Sequence, residues 1–130
     1  MTEILVRMKP VTQGSVHAIT VNGRPRVIHN KSKELYEQRE VIQALYHEEG
    51  GELIKGAVSM ELTFSFIRPK SYTEKQRPYM TVKPDIDKLT RAVLDALTHH
   101  AYNDDSQVVN LKVCKLYGED EYIRINVTPY

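Results

Sequence analysis

Four aspartates stand in two close pairs at the two ends of one stretch, KPDIDKLTRAVLDALTHHAYNDDSQVV. Asp85 and Asp87 open the stretch, and Asp104 and Asp105 lie near its end. Carboxylates that converge repel one another and their pKa values rise, unless a cation shares the site. Mg²⁺ binds a few carboxylates and keeps several waters, which leaves room for a phosphate oxygen. All four aspartates are therefore candidate metal ligands, for Mg²⁺ first and for Mn²⁺ as a substitute.

The first pair is expected at the start of a helix. Pro84 disfavours helical backbone at the residue before it, which makes Asp85 a natural N-cap and puts Asp87 in the first turn. The helix predicted from about Asp85 to Thr98 carries Arg91 one turn beyond Asp87, on the same face. A cap residue and a first-turn residue can both face one point just beyond the helix end.

The second pair lies between this helix and the next predicted strand. If that strand packs beside the helix, Asp104 or Asp105 returns to the N-terminal end of the helix. A purely structural role is open for both pairs. Aspartate at a helix start is favoured by capping and by the helix dipole, and Asp-Asp before a strand is an ordinary turn signal.

Other chemistries are less consistent with the sequence. An EF-hand loop beginning at Asp85 would need oxygen ligands, a glycine and a final glutamate where Leu89, Thr90 and Ala96 stand. The single cysteine, Cys114, excludes a disulfide within the chain and a cysteine-rich zinc site. Ser71, Ser106 and Cys114 have no evident general base beside them, so a nucleophilic triad is not supported.

A polar loop with three prolines, RPKSYTEKQRPYMTVKP, precedes the predicted helix, and loops of this length are often functional or mobile. The net charge of the whole chain is only +1, so contact with nucleic acid has to depend on local charge. Basic side chains beside carboxylates suit a phosphate-binding rim around a metal centre, although a solvated loop would look the same. The candidate phosphate-binding residues are Arg68, Lys70, Lys75, Arg77, Lys83 and Lys88.

The 130 residues predict one small α+β domain, with two main helices against a mixed or antiparallel sheet. Asn22-Gly23 is typical of a tight hairpin turn, and helical spacing of apolar residues runs from Lys31 to Glu49 before Gly50-Gly51. Alternation of inward-facing apolar residues with their neighbours predicts the clearest strand, AVSMELTFSFI. The predicted element order is βββαβαββ, with further strands in ILVRM, SVHAITV, RPRVIH, SQVVNLKVCKLYG and EYIRINV.

No apolar run approaches the length of a membrane span, and the N-terminal MTEILVRMKP lacks the apolar stretch of a signal peptide. We therefore expect a soluble, cytoplasmic protein that does not bind membranes. The lone cysteine is compatible with a reducing compartment.

From Lys83 to about Lys115 the chain resembles the RusA family of Holliday junction resolvases, small nucleases common in bacteriophages and prophages. KPDIDKLTRAVLDAL followed by NDDSQVV is similar to the active-site segment of that family, in residue type and in spacing. The first half of the chain matches only in the general order of elements. The resemblance implies a single RusA-like endonuclease domain over residues 1–130. It also implies a magnesium-dependent homodimer that acts on four-way DNA junctions.

Applied to this chain, the resemblance implies catalytic carboxylates at Asp85, Asp87 and Asp105, with Asp104 as an acidic neighbour. Arg91 falls where the family often carries a lysine near the scissile phosphate. Arginine can stabilise developing negative charge as lysine can, but it cannot act as a base near neutral pH. Two alternatives to junction resolution are a nuclease for other branched or flap DNA, and a phage nucleic-acid-binding protein that has lost catalysis.

Overall fold

Strands and helices follow one another in the predicted order βββαβαββ. The computed structural model describes residues 1–13, 16–29 and 32–130. A short 3-10 helix, Asp105–Gln107, lies between the second long helix and the strand that follows it. The longer elements are β1 (Thr2–Val6), β2 (Val16–Val21), β3 (Arg24–His29), α1 (Ser32–Glu48), β4 (Val58–Phe66), α2 (Ile86–Leu97), β5 (Val108–Tyr117) and β6 (Tyr122–Pro129).

The main sheet has four strands in the order β1–β6–β4–β5. β6 runs antiparallel to both β1 and β4, whereas β4 and β5 are parallel. A parallel pair needs a crossover connection, and α2 supplies it. The α+β class and the mixed sheet are therefore confirmed. Along the chain, α2 lies between β4 and β5, the two strands that flank the acidic stretch.

Strand β4 forms the centre of the core. Its predicted inward face, Val58, Met60, Leu62, Phe64 and Phe66, is buried. The neighbouring β6 buries the residues of its own alternating face against the same core. This confirms the strand that the alternation predicted most clearly.

The two helices pack on this core through apolar stripes. In α2, Leu89, Val93 and Leu97 are fully buried, as their spacing predicted. Ile86 was expected on the same stripe but is 40% exposed, because it is the first residue of the helix and borders a groove. Tyr46 anchors the end of α1 in the core, about one helical turn before the stop at Gly50. No helix in the described part of the chain is long and apolar enough to cross a membrane.

Several element boundaries differ by one or two residues from those predicted. β1 begins and ends two residues earlier than ILVRM, because it pairs with β6 from Thr2 to Val6. Ser106 and Gln107 belong to the 3-10 helix and not to β5, because Asp104 caps that short helix. The predicted start of α1, Lys31, lies outside the described residues.

The hairpin predicted at Asn22-Gly23 is present. Both turn residues have positive φ, 53° and 75°, which is the backbone of a tight hairpin. β2 and β3 form a two-stranded sheet of their own. Within it Pro25 lies opposite Thr20, an arrangement that a two-stranded ribbon tolerates because each strand has a free edge.

The chain that leads to this hairpin is tied to both helices. The side chain of buried Gln38 in α1 accepts from the Val11 amide (2.7 Å) and donates to the Val11 carbonyl (3.1 Å). Further along, the Gln13 amide donates to the carbonyl of Lys88 in α2 (3.1 Å). Because Lys88 lies in the first turns of α2, this segment runs beside the acidic end of that helix.

Candidate active site

The N-terminus of α2 has the backbone that Pro84 predicted. Asp85 is the N-cap, in extended geometry at φ −74° and ψ 140°, and its carbonyl accepts from the Leu89 amide (3.1 Å). Its carboxylate makes no capping hydrogen bond to this described helix end and lies 3.8 Å from the ammonium of Lys88. An exposed ion pair of this length contributes little to stability, so the Asp85 carboxylate remains available for another partner.

One surface groove brings together side chains from two separate segments of the chain. Asp87, from the first turn of α2, and Arg91, one turn later, line one side of it. Asp105, from the 3-10 helix, lines the same groove. The apolar residues that complete the lining with Thr90 are Ile86, Leu94, Leu111 and Val113. Two carboxylates and a guanidinium therefore share one groove with largely apolar walls.

Asp104, the neighbour of Asp105, has a structural role in the 3-10 helix. Its carboxylate accepts from the Ser106 amide at 2.8 Å. This backbone hydrogen bond holds the pKa of Asp104 below its usual range. Asp104 does not line the groove, so the two adjacent aspartates differ in position: one caps, and the other faces α2.

Gln107 holds the 3-10 helix in place, a role that the sequence analysis missed. Its side-chain oxygen accepts from the amides of Asn103 (2.9 Å) and Asp104 (3.2 Å). Its side-chain amide donates to the carbonyls of Ile54 (2.8 Å) and Gly56 (3.0 Å), in the segment before β4. The available sequence signal was the capping-box spacing, aspartate followed three residues later by glutamine.

Buried Tyr102 ties the loop after α2 to that helix. Its hydroxyl donates to the Leu94 carbonyl at 2.6 Å. Burial raises the pKa of Tyr102 well above its usual value, and the negative charges of Asp105 and Asp95 add to the effect. The phenol therefore stays neutral and remains a donor to α2.

The described residues contain no group of three or more Asp, Glu, His or Cys side chains placed to hold a metal ion. The expected convergence of three or four carboxylates is thus not found in this part of the structure. Asp85 lies beside Lys88, and Asp104 is bonded to Ser106. Asp87 and Asp105 remain as the two carboxylates that line one groove. Two carboxylates fit Mg²⁺, because this ion is usually bound by one or two of them together with water and substrate phosphate.

Two of the basic residues expected to bind phosphate are engaged within the loop before α2. Arg68 donates from Nε to the Arg77 carbonyl (3.0 Å) and stacks over the Tyr117 ring at 4.8 Å. Arg77 stacks over the Tyr72 ring at 3.6 Å. Met80, further along, is buried in the core. The loop expected to be functional or mobile is therefore anchored to the body of the protein at several points.

Three other basic residues of this region project into solvent, namely Lys70, Lys75 and Lys83. Lys88 is partly exposed and pairs with Asp85. Beside them, Tyr79 is 77% exposed. The surface on the approach to the acidic helix end thus carries net positive charge together with an exposed aromatic ring.

Comparison with known proteins agrees with this arrangement. The family model of the endodeoxyribonuclease RusA matches residues 8–128. The uncharacterized protein YqaN of Bacillus subtilis (strain 168) is 33% identical over 128 residues, which covers 92% of this chain and 89% of the relative. The matched range includes the groove, the 3-10 helix and the basic loop.

Proposed function

The chain belongs to the RusA endodeoxyribonuclease family, and from that premise we propose that it is a magnesium-dependent enzyme that resolves four-way DNA junctions. We treat residues 1–130 as one RusA-like endonuclease domain. The observation that carries the proposal is the groove in which Asp87, Arg91 and Asp105 meet. A groove of this composition suits a phosphodiester, because its carboxylates would hold a metal ion and its arginine would face the phosphate.

Each groove residue has a defined part in hydrolysis. Asp87 and Asp105 would hold Mg²⁺, and Asp85 and Asp104 are the nearest further carboxylates in sequence. When bound, the ion lowers the pKa of a coordinated water and neutralises charge on the leaving oxygen. Arg91 would donate to the scissile phosphate and stabilise the negative charge that develops in the transition state. Mn²⁺, which accepts the same oxygen ligands, would substitute for Mg²⁺.

The basic loop would bind neighbouring phosphates along the DNA arms. Lys70, Lys75 and Lys83 are the exposed members of this surface, with Lys88 at its border. Arg68 and Arg77 would contribute mainly through the shape of the loop, because both are stacked on tyrosines. Contacts of this kind position the substrate and weaken as salt rises.

Resolution of a four-way junction requires two cuts at symmetry-related positions. A two-fold symmetric homodimer supplies two grooves related as the two cut sites are. We therefore propose that two copies of this chain act on one junction. Cleavage of other branched or flap DNA would use the same groove. It would differ from junction resolution in how the two copies approach the substrate.

The decisive experiment is incubation with a synthetic four-way junction, with and without Mg²⁺, followed by mapping of the cut sites. We expect paired, symmetric incisions near the branch point that require the metal. Flap and linear duplex substrates run in parallel define the selectivity. Preferential cleavage of flaps would support the other branched-DNA nuclease, and metal-dependent binding without cleavage of any substrate would support the inactive binding protein.

A further inference from the structure

Lys115, near the end of β5, reaches across to the chain that enters α2. Its ammonium donates to the Val82 carbonyl at 2.6 Å and to the Pro84 carbonyl at 2.9 Å. These carbonyls belong to the residues on either side of Lys83, and Pro84 directly precedes the N-cap Asp85. Hydrogen bonds from a charged donor are stronger than neutral ones, and two from one ammonium fix a direction as well as a distance.

The segment that Lys115 holds lies between two buried anchors, Met80 before it and Leu89 after it, and Thr81, Val82 and Lys83 are exposed. The Thr81 amide makes a local turn by donating to the Tyr79 carbonyl at 3.0 Å. Pro84 has no amide hydrogen to donate. The two carbonyl contacts with Lys115 therefore tie this exposed segment to β5.

Strand β5 links both halves of the groove. Asp105 begins the 3-10 helix that leads directly into the first residue of β5, Val108. Lys115, paired in register with Phe64 of β4, joins the other end of the same strand to the entry of α2. One rigid strand thus sets where Asp105 lies and where α2, with Asp87, begins.

We propose that Lys115 is a positioning residue, which fixes the start of α2 so that Asp87 and Asp105 keep the spacing needed to share one metal ion. The inference rests on the proposed nuclease function. Lys115 touches neither metal nor DNA in this role and acts through the backbone of Val82 and Pro84. α2 itself does not depend on it, because the helix is held by its buried stripe.

The test compares Lys115→Met, which keeps the stem and removes the donors, with Lys112→Met as a matched control. Lys112 lies on the same strand, is exposed, and is paired in register with Glu61 of β4. We expect both variants to fold, and both to bind a four-way junction in Ca²⁺ as the unmodified protein does. Single-turnover cleavage should fall ~10²-fold in Lys115→Met only, the scale of a misplacement of about 1 Å. Lys115→Arg, which can donate to both carbonyls, should recover part of the rate.

Metal affinity gives a readout that is independent of cleavage. Mn²⁺ titrations followed by electron paramagnetic resonance should show weaker binding in Lys115→Met and unchanged binding in Lys112→Met. If Lys115→Met matches the unmodified protein in both cleavage rate and Mn²⁺ affinity, the proposal is overturned. If Lys115→Met does not fold, Lys115→Gln, which keeps an uncharged donor, takes its place in the same comparison. If the unmodified protein cleaves no DNA, the nuclease proposal fails, and the Mn²⁺ titration still decides the role of Lys115.

Discussion

At the scale of single residues, Asp87 is where metal binding and the approach of DNA come together. Its carboxylate places negative charge in a groove that a phosphate has to enter. Asp87→Asn keeps the shape but removes the charge and weakens a metal ligand. Cleavage of a four-way junction should fall by about 10²-fold or more, the upper range for loss of metal support. Junction binding should persist, and in EDTA it should tighten modestly as the repulsion falls.

A suitable control for that experiment is Asp95→Asn on the same helix. Asp95 lies outside the groove and pairs with Arg39 of α1 at 3.6 Å. The Asp95→Asn variant should therefore cleave as the unmodified protein does. A folded Asp87→Asn protein with normal cleavage would remove the central claim about the groove, and one that neither cleaves nor binds would make Asp87 a structural residue.

Arg91 has an electrostatic role in the same groove. Arg91→Ala should lower the cleavage rate by ~10²-fold or more, the usual cost of removing one donor to a transition state. Arg91→Lys should keep substantial activity, because a point charge remains near the phosphate. Single-turnover rates at saturating Mg²⁺ measure both. A rate in Arg91→Ala equal to that of the unmodified protein would reduce Arg91 to a surface partner of Asp87.

At the scale of elements, the 3-10 helix depends on Gln107 for its position. Gln107→Ala removes hydrogen bonds to the Ile54 and Gly56 carbonyls and from two loop amides. We expect a loss of about 1 kcal/mol in the free energy of unfolding, because these polar groups can partly turn to water. The cleavage rate should fall by more than this small loss of stability can explain, since Asp105 loses its support. Urea unfolding and junction cleavage are the measurements, with exposed Asn110→Ala as the control. Equal effects of the two substitutions on cleavage would contradict this role.

A histidine pair joins the end of α1 to the loop after α2, His47 Nε2 lying 2.8 Å from His100 Nδ1. Burial lowers the pKa of His100 below its ordinary value of 6.5, and the neighbouring His47 and His99 lower it further. The folded state therefore binds fewer protons than the unfolded state as pH falls below about 6.5. The stabilising contribution of neutral His100 is present above that pH and is lost as pH falls through the folded pKa.

Melting temperatures measured between mildly alkaline and mildly acidic pH test this link. The unmodified protein should lose stability on acidification, and His100→Gln should lose less over the same range. His47→Gln should also lose less stability on acidification, because it removes the neighbour whose charge opposes protonation of His100. Parallel curves for all three proteins would show that this pair does not set the pH dependence.

At the scale of the whole molecule, metal choice should separate binding of the junction from its cleavage. Ca²⁺ is larger than Mg²⁺ and accepts looser coordination, so it can neutralise the carboxylates without orienting an attacking water. We expect Ca²⁺ to support junction binding with little or no cleavage, and Mg²⁺ or Mn²⁺ to support both. Gel-shift and cleavage assays on one junction preparation give the comparison. Equal cleavage in Ca²⁺ and Mg²⁺ would argue strongly against metal-assisted in-line attack.

The elements of this protein were determined mostly by local patterns in its sequence. The alternation in β4 has one physical solution, a strand with one buried face, and Asn22-Gly23 tolerates the positive φ angles of the hairpin. Pro84 disfavours helical backbone at Lys83, because its ring restricts the residue before it, and α2 accordingly begins after the N-cap Asp85. Each of these effects acts over a few residues, which is why the element order and the N-cap could be predicted.

Tertiary structure alone decided which side chains meet. Only the family resemblance distinguished Asp104 from Asp105 in the sequence, and in the structure the 3-10 helix turns Asp104 towards Ser106 and Asp105 into the groove. Arg68 and Arg77, expected to bind phosphate, stack on tyrosines, Arg68 on Tyr117 at the end of β5 and Arg77 on Tyr72 within the loop. Lys115 bonds carbonyls more than thirty residues away along the chain. Contacts over such separations depend on how the crossover through α2 packs against the sheet, and no local pattern encodes that packing.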